Sequence, residues 1–278
     1  MSKRTLLGLA AATALLMFGY VLTSGRVRTF GGDTPYYLAL AEELAQDPPR
    51  FRNPRSPWPE TPAMDRGPGW PFLLSLAIRA APGLDRLTLV KGVGAAVAVA
   101  NVLLVALLAY QATRSDACAL GAGLAWAANP QTLALIEDGA TEPAFILPAA
   151  LGLAAVHRGG RAFFAGAAIL GLACLVRQFF VLFPFFLAAV VLGAAAARRR
   201  PVEAPWRGLG AVLAFLLFLA PAAAWSLRNA AISGGPPTLS TLRGETFYGA
   251  NNEVVANQLP YWGYWVMPDE IPGETPKR

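Results

Sequence analysis

Chemistry in this chain has to come from carboxylates and guanidinium groups. The only histidine, His157, sits beside Arg158 and Arg161 in a short basic loop, so metal sites, proton relays and triads that need imidazole have almost nothing to work with. Cys118 and Cys174 lie inside or at the edge of apolar runs, which argues against a disulfide framework, and their spacing excludes a CxxC-type site. The acidic candidates are Asp33, Asp65, Glu137, Asp138 and Glu142. Asp33 follows Gly31-Gly32 and precedes Thr34-Pro35, with a helical pattern after it in which Tyr37, Leu40, Ala41 and Leu44 share a face. Capping would explain Asp33, since Asp is a preferred N-cap and Pro is tolerated in a first turn. A carboxylate at the head of an interfacial helix can also take a proton from an incoming hydroxyl. Arg66 is held between Asp65 and the turn Gly67-Pro68-Gly69-Trp70-Pro71, a good position for a fixed contact, and a guanidinium reads phosphate bidentately. The stretch 137–142 has three carboxylates and no basic residue. Such acids near a bilayer neutralise, pair, bind something or stay solvated at its surface.

The scaffold that must position these groups reads as lipid-embedded. Hydrophobic residues make up 55% of the 278 and charged residues 14%, with a mean hydropathy of +0.44, too little charge to coat a soluble domain of this length. The net charge of +6 does not point to nucleic acid, because Lys and Arg fall at the ends of apolar runs instead of interleaving with aromatics on a polar surface. After Lys3 and Arg4, the run from Thr5 to about Thr23 is long enough to cross a core of roughly 30 Å. With no small-x-small cleavage site at Leu22-Thr23-Ser24-Gly25, it reads as a signal anchor. Further spans are predicted at about Leu89–Thr113, Ala117–Ile136, Pro143–Val156, Ala162–Val176, Phe179–Ala197 and Leu209–Leu227. Several are rich in Ala and Gly, which favours close helix packing in lipid.

The segment Trp70–Ala81 is short for a span and suits a helix lying at the interface. If it does not cross, the loops around Arg114, His157–Arg161 and Arg198-Arg199-Arg200 fall on the side of Lys3 and Arg4, as the positive-inside rule requires. The expectation is an all-α integral membrane protein of about seven transmembrane helices. It comprises a signal-anchor span (1–23), an external loop with two juxtamembrane helices (24–88), a six-span bundle (89–227) and an external tail (228–278). The N-terminus would be cytoplasmic. Usage rich in Ala and Arg fits a GC-rich bacterial genome, hence a bacterial inner membrane. Trp58, Trp70, Tyr261, Trp262, Tyr264 and Trp265 read as an interfacial aromatic belt or as sugar-stacking surfaces.

Several pieces, in order, resemble the GT-C glycosyltransferases that use polyprenyl-phosphate sugars, the family of protein O-mannosyltransferases and lipid A aminoarabinose transferases. Gly32-Asp33-Thr34-Pro35-Tyr36-Tyr37 is similar to that family's acidic residue followed by a Tyr-rich amphipathic helix, and Arg66-Gly67-Pro68-Gly69-Trp70-Pro71 to its Arg/Lys-Pro-Pro-x-x-Pro segment. Thr141-Glu142-Pro143 resembles its Thr/Ser-Glu-Pro, and Leu175-Val176-Arg177-Gln178 its Leu-Thr-Arg-Pro turn. Leu227-Arg228-Asn229 and Tyr248-Gly249-Ala250-Asn251-Asn252 resemble its Arg-Asn and Gly-Asn-Asn elements. The chain departs from the pattern at Gly67 and Gln178, where the family has Pro. Relatives of that kind continue with more spans and an external domain, so the sequence reads as a minimal module or as one truncated after the seventh span.

The resemblance implies inverting transfer of a sugar from a polyprenyl-phosphate donor to a protein, lipid or glycan acceptor on the external face. Asp33 would be the base, Arg66 and Arg177 the phosphate contacts, and Glu142 a second carboxylate that orients donor or acceptor. Tyr37, Arg228 and Asn229 complete the substrate-binding set. No cofactor is implied and no metal is demanded, although Glu137, Asp138 and Glu142 could hold a hard divalent cation. The rival readings are a lipid or sugar transporter or flippase, and a non-catalytic membrane scaffold. Against transport, the confident spans show no charge at their middle and no inverted repeat of broken helices.

Overall fold

A computed structural model of the chain describes residues 1–24, 32–58, 60–188, 209–241 and 243–257. Among these it is all-helical, with one isolated antiparallel bridge between Arg52 and Pro62. In chain order the helices are α1 (Lys3–Ser24), α2 (Thr34–Ala45), α3 (Gly69–Ala80), α4 (Arg86–Thr113), α5 (Asp116–Ala127), α6 (Pro130–Glu137), α7 (Glu142–Arg158) and α8 (Gly160–Ala173). They continue with α9 (Gln178–Ala188), which opens with a 3₁₀ turn, then α10 (Leu209–Ser233), α11 (Arg243–Ala250) and α12 (Glu253–Asn257). Three of them, α1, α4 and α10, are long and apolar enough to cross a membrane.

Helices α2 and α3 form in the stretches where helical patterns were expected, although α2 buries Tyr36 more deeply than Tyr37. Pro35 and the face carrying Tyr36, Leu40 and Ala41 build α2, and α3 buries Trp70, Leu74 and Ile78 against Ala41 and against Leu89 and Val90 of α4. The run Ala117–Ile136, expected as one span, is corrected: it breaks into α5 and α6. Asn129 leaves the helix, its side chain accepts from the backbone N of Gln131 at 3.0 Å, and Pro130 starts a new helix. Pro has no N–H to continue the ladder, so the break is local chemistry. Helix α7 has 17 residues and α8 has 14, about 25 and 21 Å at 1.5 Å per residue, shorter than a hydrocarbon core of roughly 30 Å.

The helices alternate in direction between two ends of the bundle. At one end the Asp116 carboxylate accepts from the backbone N of Ser2 and the hydroxyl of Thr5; at the other, Tyr20 donates to Glu137. Asn101 and Gln111 of α4 donate to the carbonyls of Pro143 and Ala154, so α4 and α7 run the same way. Helix α8 turns back along α7 through Gly152 and Gly166. A Cβ on either glycine would meet the other's carbonyl oxygen at under 3 Å, so only small residues allow this approach. Gly171 of α8 meets Phe218 of α10 in the same manner. Leu9, Met17, Ala98, Val102, Ala119 and Ile136 form the core between α1, α4, α5 and α6.

The long apolar helices carry their charges near their ends, and one such residue is buried. Lys91, in the second turn of α4, is 1% exposed, and its Nζ stands 3.8 Å from the Glu137 carboxylate that Tyr20 also binds. Breaking a fully buried pair by removing one partner costs roughly 3–5 kcal/mol. Glu137 is a quarter exposed and keeps Tyr20, so Lys91→Met should destabilise the protein by a smaller amount, about 1–3 kcal/mol. Thermal unfolding in detergent should show this loss, and the Lys91→Met/Glu137→Gln double variant should recover part of it.

Candidate functional site

Asp33 begins the site. It stands at the N-cap position of α2, and its carbonyl accepts from Tyr37 N, but its side chain makes no cap hydrogen bond. Capping therefore does not explain the carboxylate. Its oxygens are instead shared between two arginines: Arg66 Nη2 donates to Oδ2 at 2.9 Å and Arg55 Nη2 to Oδ1 at 3.3 Å. The carboxylate remains 44% exposed, open to solvent at the end of the bundle.

The loop that carries Arg55 and Arg66 is pinned from several directions. Arg52 grips Glu43 of α2 bidentately at 2.7 Å per bond and reaches Glu60 at 2.8 Å. The hydrogen bond from Arg52 holds the Glu43 carboxyl below its ordinary value. Tyr36 is buried and donates to Asp65 Oδ1 at 2.6 Å; burial, then this bond, push its phenol pKa upward. Arg55 lies over the Tyr36 ring at 4.6 Å. Behind Asp65, the tail crosses back: Ser240 Oγ donates to the Asp65 carbonyl at 2.7 Å and Thr241 N to the Met64 carbonyl at 3.2 Å.

The turn Gly67-Pro68-Gly69 carries Arg66 against the α8–α9 turn. Gly69 N donates to the Leu175 carbonyl at 3.0 Å, and a Cβ on Gly67 would sit 2.1 Å from that same oxygen. Two residues beyond Leu175, Arg177 forms an ion pair with Glu142, the first residue of α7. The segment ahead of Glu142 is fixed by buried Trp70, whose Nε1 donates to the Gly139 carbonyl at 3.1 Å, and by Thr34, whose hydroxyl donates to the Asp138 carbonyl. Gly139 itself has φ +66°, and a Cβ there would strike Thr34 and Val90. Tyr37 is near both halves. Its phenol pKa is raised chiefly by burial, and it lies within electrostatic reach of Arg66, Asp33, Arg177 and Asp65.

Asp33, Tyr37 and Arg66 thus share one end of the bundle with Glu142 and Arg177. Arg228 and Asn229 are tied to the loop and the tail. Arg228 donates to the Ala63 carbonyl at 2.6 Å and packs over the rings of Trp225 and Phe51, while Asn229 is buried and donates to the Thr238 carbonyl. They hold the loop and tail that frame the site. Asn252 caps α12 through the backbone N of Val255. Among the described residues no group of three or more metal-ligand side chains gathers: Glu137 faces Lys91 and Tyr20, and Glu142 faces Arg177. Trp70, read as belt or stacking surface, is corrected to a 1% exposed core residue, whereas Trp58 is 74% exposed. Tyr261, Trp262, Tyr264, Trp265 and Arg198–Arg200 lie outside the described residues.

Nothing local in the sequence marks Tyr36, Arg55 and Lys91 for the roles they have. Its position over the Tyr36 ring and against Asp33, given only by the fold, separates Arg55 from the other arginines of its loop. Farther along the bundle from the Arg177–Glu142 pair, toward the end where α7 closes and α8 and α10 begin, lies an apolar cavity of about 360 Å³, lined by Leu153, Val156, Phe163, Leu170, Phe183 and Phe218. Phe180 bridges the two, edge-on to Phe145 at 5.1 Å and stacked on Phe183 at 4.8 Å. No family model, curated protein or solved structure matches the chain.

Gly67→Ala must push the turn away from Leu175, and we expect it to cost about 1–3 kcal/mol, measured as a lower melting temperature in detergent. The same shift separates Arg66 from Arg177. Because Arg52 depresses the Glu43 pKa, that carboxylate's contribution is fully present above about 4.5, its ordinary value, and is lost as pH falls through the lower folded-state pKa. Acid titration of stability should therefore flatten in that window for Glu43→Gln relative to the unaltered chain.

Proposed function

We propose that the protein is a membrane glycosyltransferase that moves a sugar from a polyprenyl-phosphate donor to an acceptor hydroxyl at the outer face, with inversion at the anomeric carbon. The observation that carries the reading is the shared placement of an exposed carboxylate, Asp33, with Arg66 and Arg177 at one end of the bundle, from which the Phe180–Phe183 stack leads to an apolar cavity farther along it. The helices also support it. Beside the three long enough to span, the pair α5–α6 and the shorter α7, α8 and α9 continue the alternation of direction. That alternation is what about seven crossings would produce, with the N-terminus at the cytoplasmic end of a bacterial inner membrane and the site at the external end.

In this reaction Asp33 takes the proton of the acceptor hydroxyl as its oxygen bonds to the anomeric carbon, from the side opposite the phosphate. The bond from that carbon to the phosphate oxygen breaks, and the departing lipid phosphate keeps the electron pair. Arg66 and Arg177 offset the charge that builds there. No strong acid is needed for such a leaving group, which suits a site built without imidazole. Tyr37, half-buried between the two arginines, forms a wall of the sugar site. The prenyl chain leads from the phosphate toward the apolar cavity under Phe180. The reaction as drawn requires no metal.

A transporter or flippase is the second reading, and buried Lys91 with Glu137 and Tyr20 is the observation that favours it, since charges inside apolar helices mark transport paths. Lys91 is near one end of α4, and its partner Glu137 closes the adjoining α6. Such a placement serves an anchor for the 137–142 segment as well as a path.

Asp33→Asn discriminates. With purified protein, polyprenyl-phosphate sugar and an acceptor panel, turnover should fall by at least about 10²-fold while donor affinity changes only a few-fold. A variant that keeps full turnover would rule out Asp33 as base, and unimpaired lipid flipping by that variant would support transport instead.

A further inference from the structure

We propose that Glu142 is an internal counter-ion: it occupies Arg177 in the ligand-free protein and is displaced by the phosphate of an incoming lipid-linked phosphate. The inference rests on the glycosyl-transfer reading, because it takes Arg177 as the phosphate contact, and it assigns Glu142 a role in that site's empty state. The pair is made to exchange. Arg177 and Glu142 side chains are 36% and 39% exposed, unlike the Lys91 side of the other pair, which is 1% exposed. An exposed ion pair is held weakly, so an anion of higher charge can replace the carboxylate.

What Glu142 would vacate is a seat for an anion. It is the first residue of the 17-residue α7, whose N-cap Thr141 makes no side-chain cap bond and whose next residue, Pro143, has no N–H. With Glu142 turned away, Arg177 and the positive end of that helix face the same space. The surroundings select the ligand's other end. Phe179 and Phe180 flank Phe145 at 5.9 and 5.1 Å, and the Phe180–Phe183 stack leads to the apolar cavity. A phosphate carrying a hydrocarbon chain satisfies both ends, whereas inorganic phosphate satisfies one. The displaced carboxylate is then free to meet hydroxyls of the donor or acceptor.

The sign of one substitution tests this. A carboxylate that binds ligand loses affinity when neutralised; a counter-ion that competes with ligand gains it. Binding of sugar-free polyprenyl phosphate, polyprenol and inorganic phosphate would be measured on the full chain in nanodiscs, with unfolding temperature recorded for each variant. Glu142→Gln should bind polyprenyl phosphate about twofold to fivefold more tightly, the range that an exposed ion pair commands. Glu142→Asp, with a shorter reach to Arg177, should move the same way and serves if the Gln variant folds poorly. Arg177→Gln should weaken polyprenyl phosphate, and in that background Glu142→Gln should have no effect. Polyprenol should be indifferent to both. An equal gain for inorganic phosphate would overturn the lipid-linked assignment. Weaker binding in both Glu142 variants, with Arg177→Gln also weaker, would overturn the counter-ion while leaving the transferase reading intact. Unchanged binding in Arg177→Gln would remove both.

Discussion

The site depends on one backbone contact, the seat of the Gly67–Gly69 turn on the Leu175 carbonyl. Arg66 comes from a loop that follows α2, and Arg177 from the turn between α8 and α9, more than 100 residues later. Their approach is set where Gly69 N donates to Leu175 O at 3.0 Å and where Gly67 has no room for a Cβ. A backbone hydrogen bond at a position that forbids side chains is a stiff spacer, because neither partner can slide without losing the bond or creating a clash. Asp33 follows Arg66, Glu142 follows Arg177, and Tyr37 lies between.

Around that contact the charges divide into two kinds. Asp65, Glu43 and Glu137 are held by buried or bidentate partners, Tyr36, Arg52 and Tyr20 with Lys91, and they shape the frame. Asp33 and Glu142 are paired too, but with substantial exposure and with partners drawn from mobile-length side chains. Asp65 illustrates why proximity does not make a base. Only 9% exposed, its side chain accepts from Tyr36 and its carbonyl from Ser240, so an acceptor hydroxyl has little access to it. Asp33, 33 residues from Arg66 and at the edge of the same cluster, keeps an open side.

How far the fold could be read from residues alone varied with the range of the interactions. Trp70–Ala81 was legible as a short helix because its apolar stretch and the following Pro82-Gly83 are local signals, and α3 spans Gly69–Ala80. The long apolar runs gave α1, α4 and α10 for the same reason. At Asn129-Pro130 a helix-start signal was present in the sequence and was outweighed by the hydrophobicity on both sides; the side-chain cap on Gln131 decides the matter. Lys91 near the start of an apolar run looks like an end-of-span residue, and nothing local announces that Glu137 will meet it. Asp33 carried a cap signal that the structure does not use, because two guanidiniums compete for the carboxylate. Arg228 and Asn229 were legible as special but not as frame residues, since their partners, the Ala63 and Thr238 carbonyls, are known only once the loop and tail are placed.

The residue types at Gly67 and Gln178 follow from the same geometry. Where Pro is expected, Gly67 stands against Leu175 O; a proline carries a Cβ and would strike that oxygen as any other side chain would. Gln178 uses its amide to donate to the Leu239 carbonyl at 2.9 Å, beside Trp225 Nε1 on the same oxygen at 3.2 Å. Proline could not make that bond. It fastens the tail segment that continues, two residues on, to Met64 and Asp65. A close backbone approach at Gly67 and a side-chain tie at Gln178 stiffen the two turns. Both contacts act beside the two guanidinium-bearing residues, the first at the turn that follows Arg66 and the second at the residue after Arg177, so each arginine is positioned by a neighbour that cannot move freely.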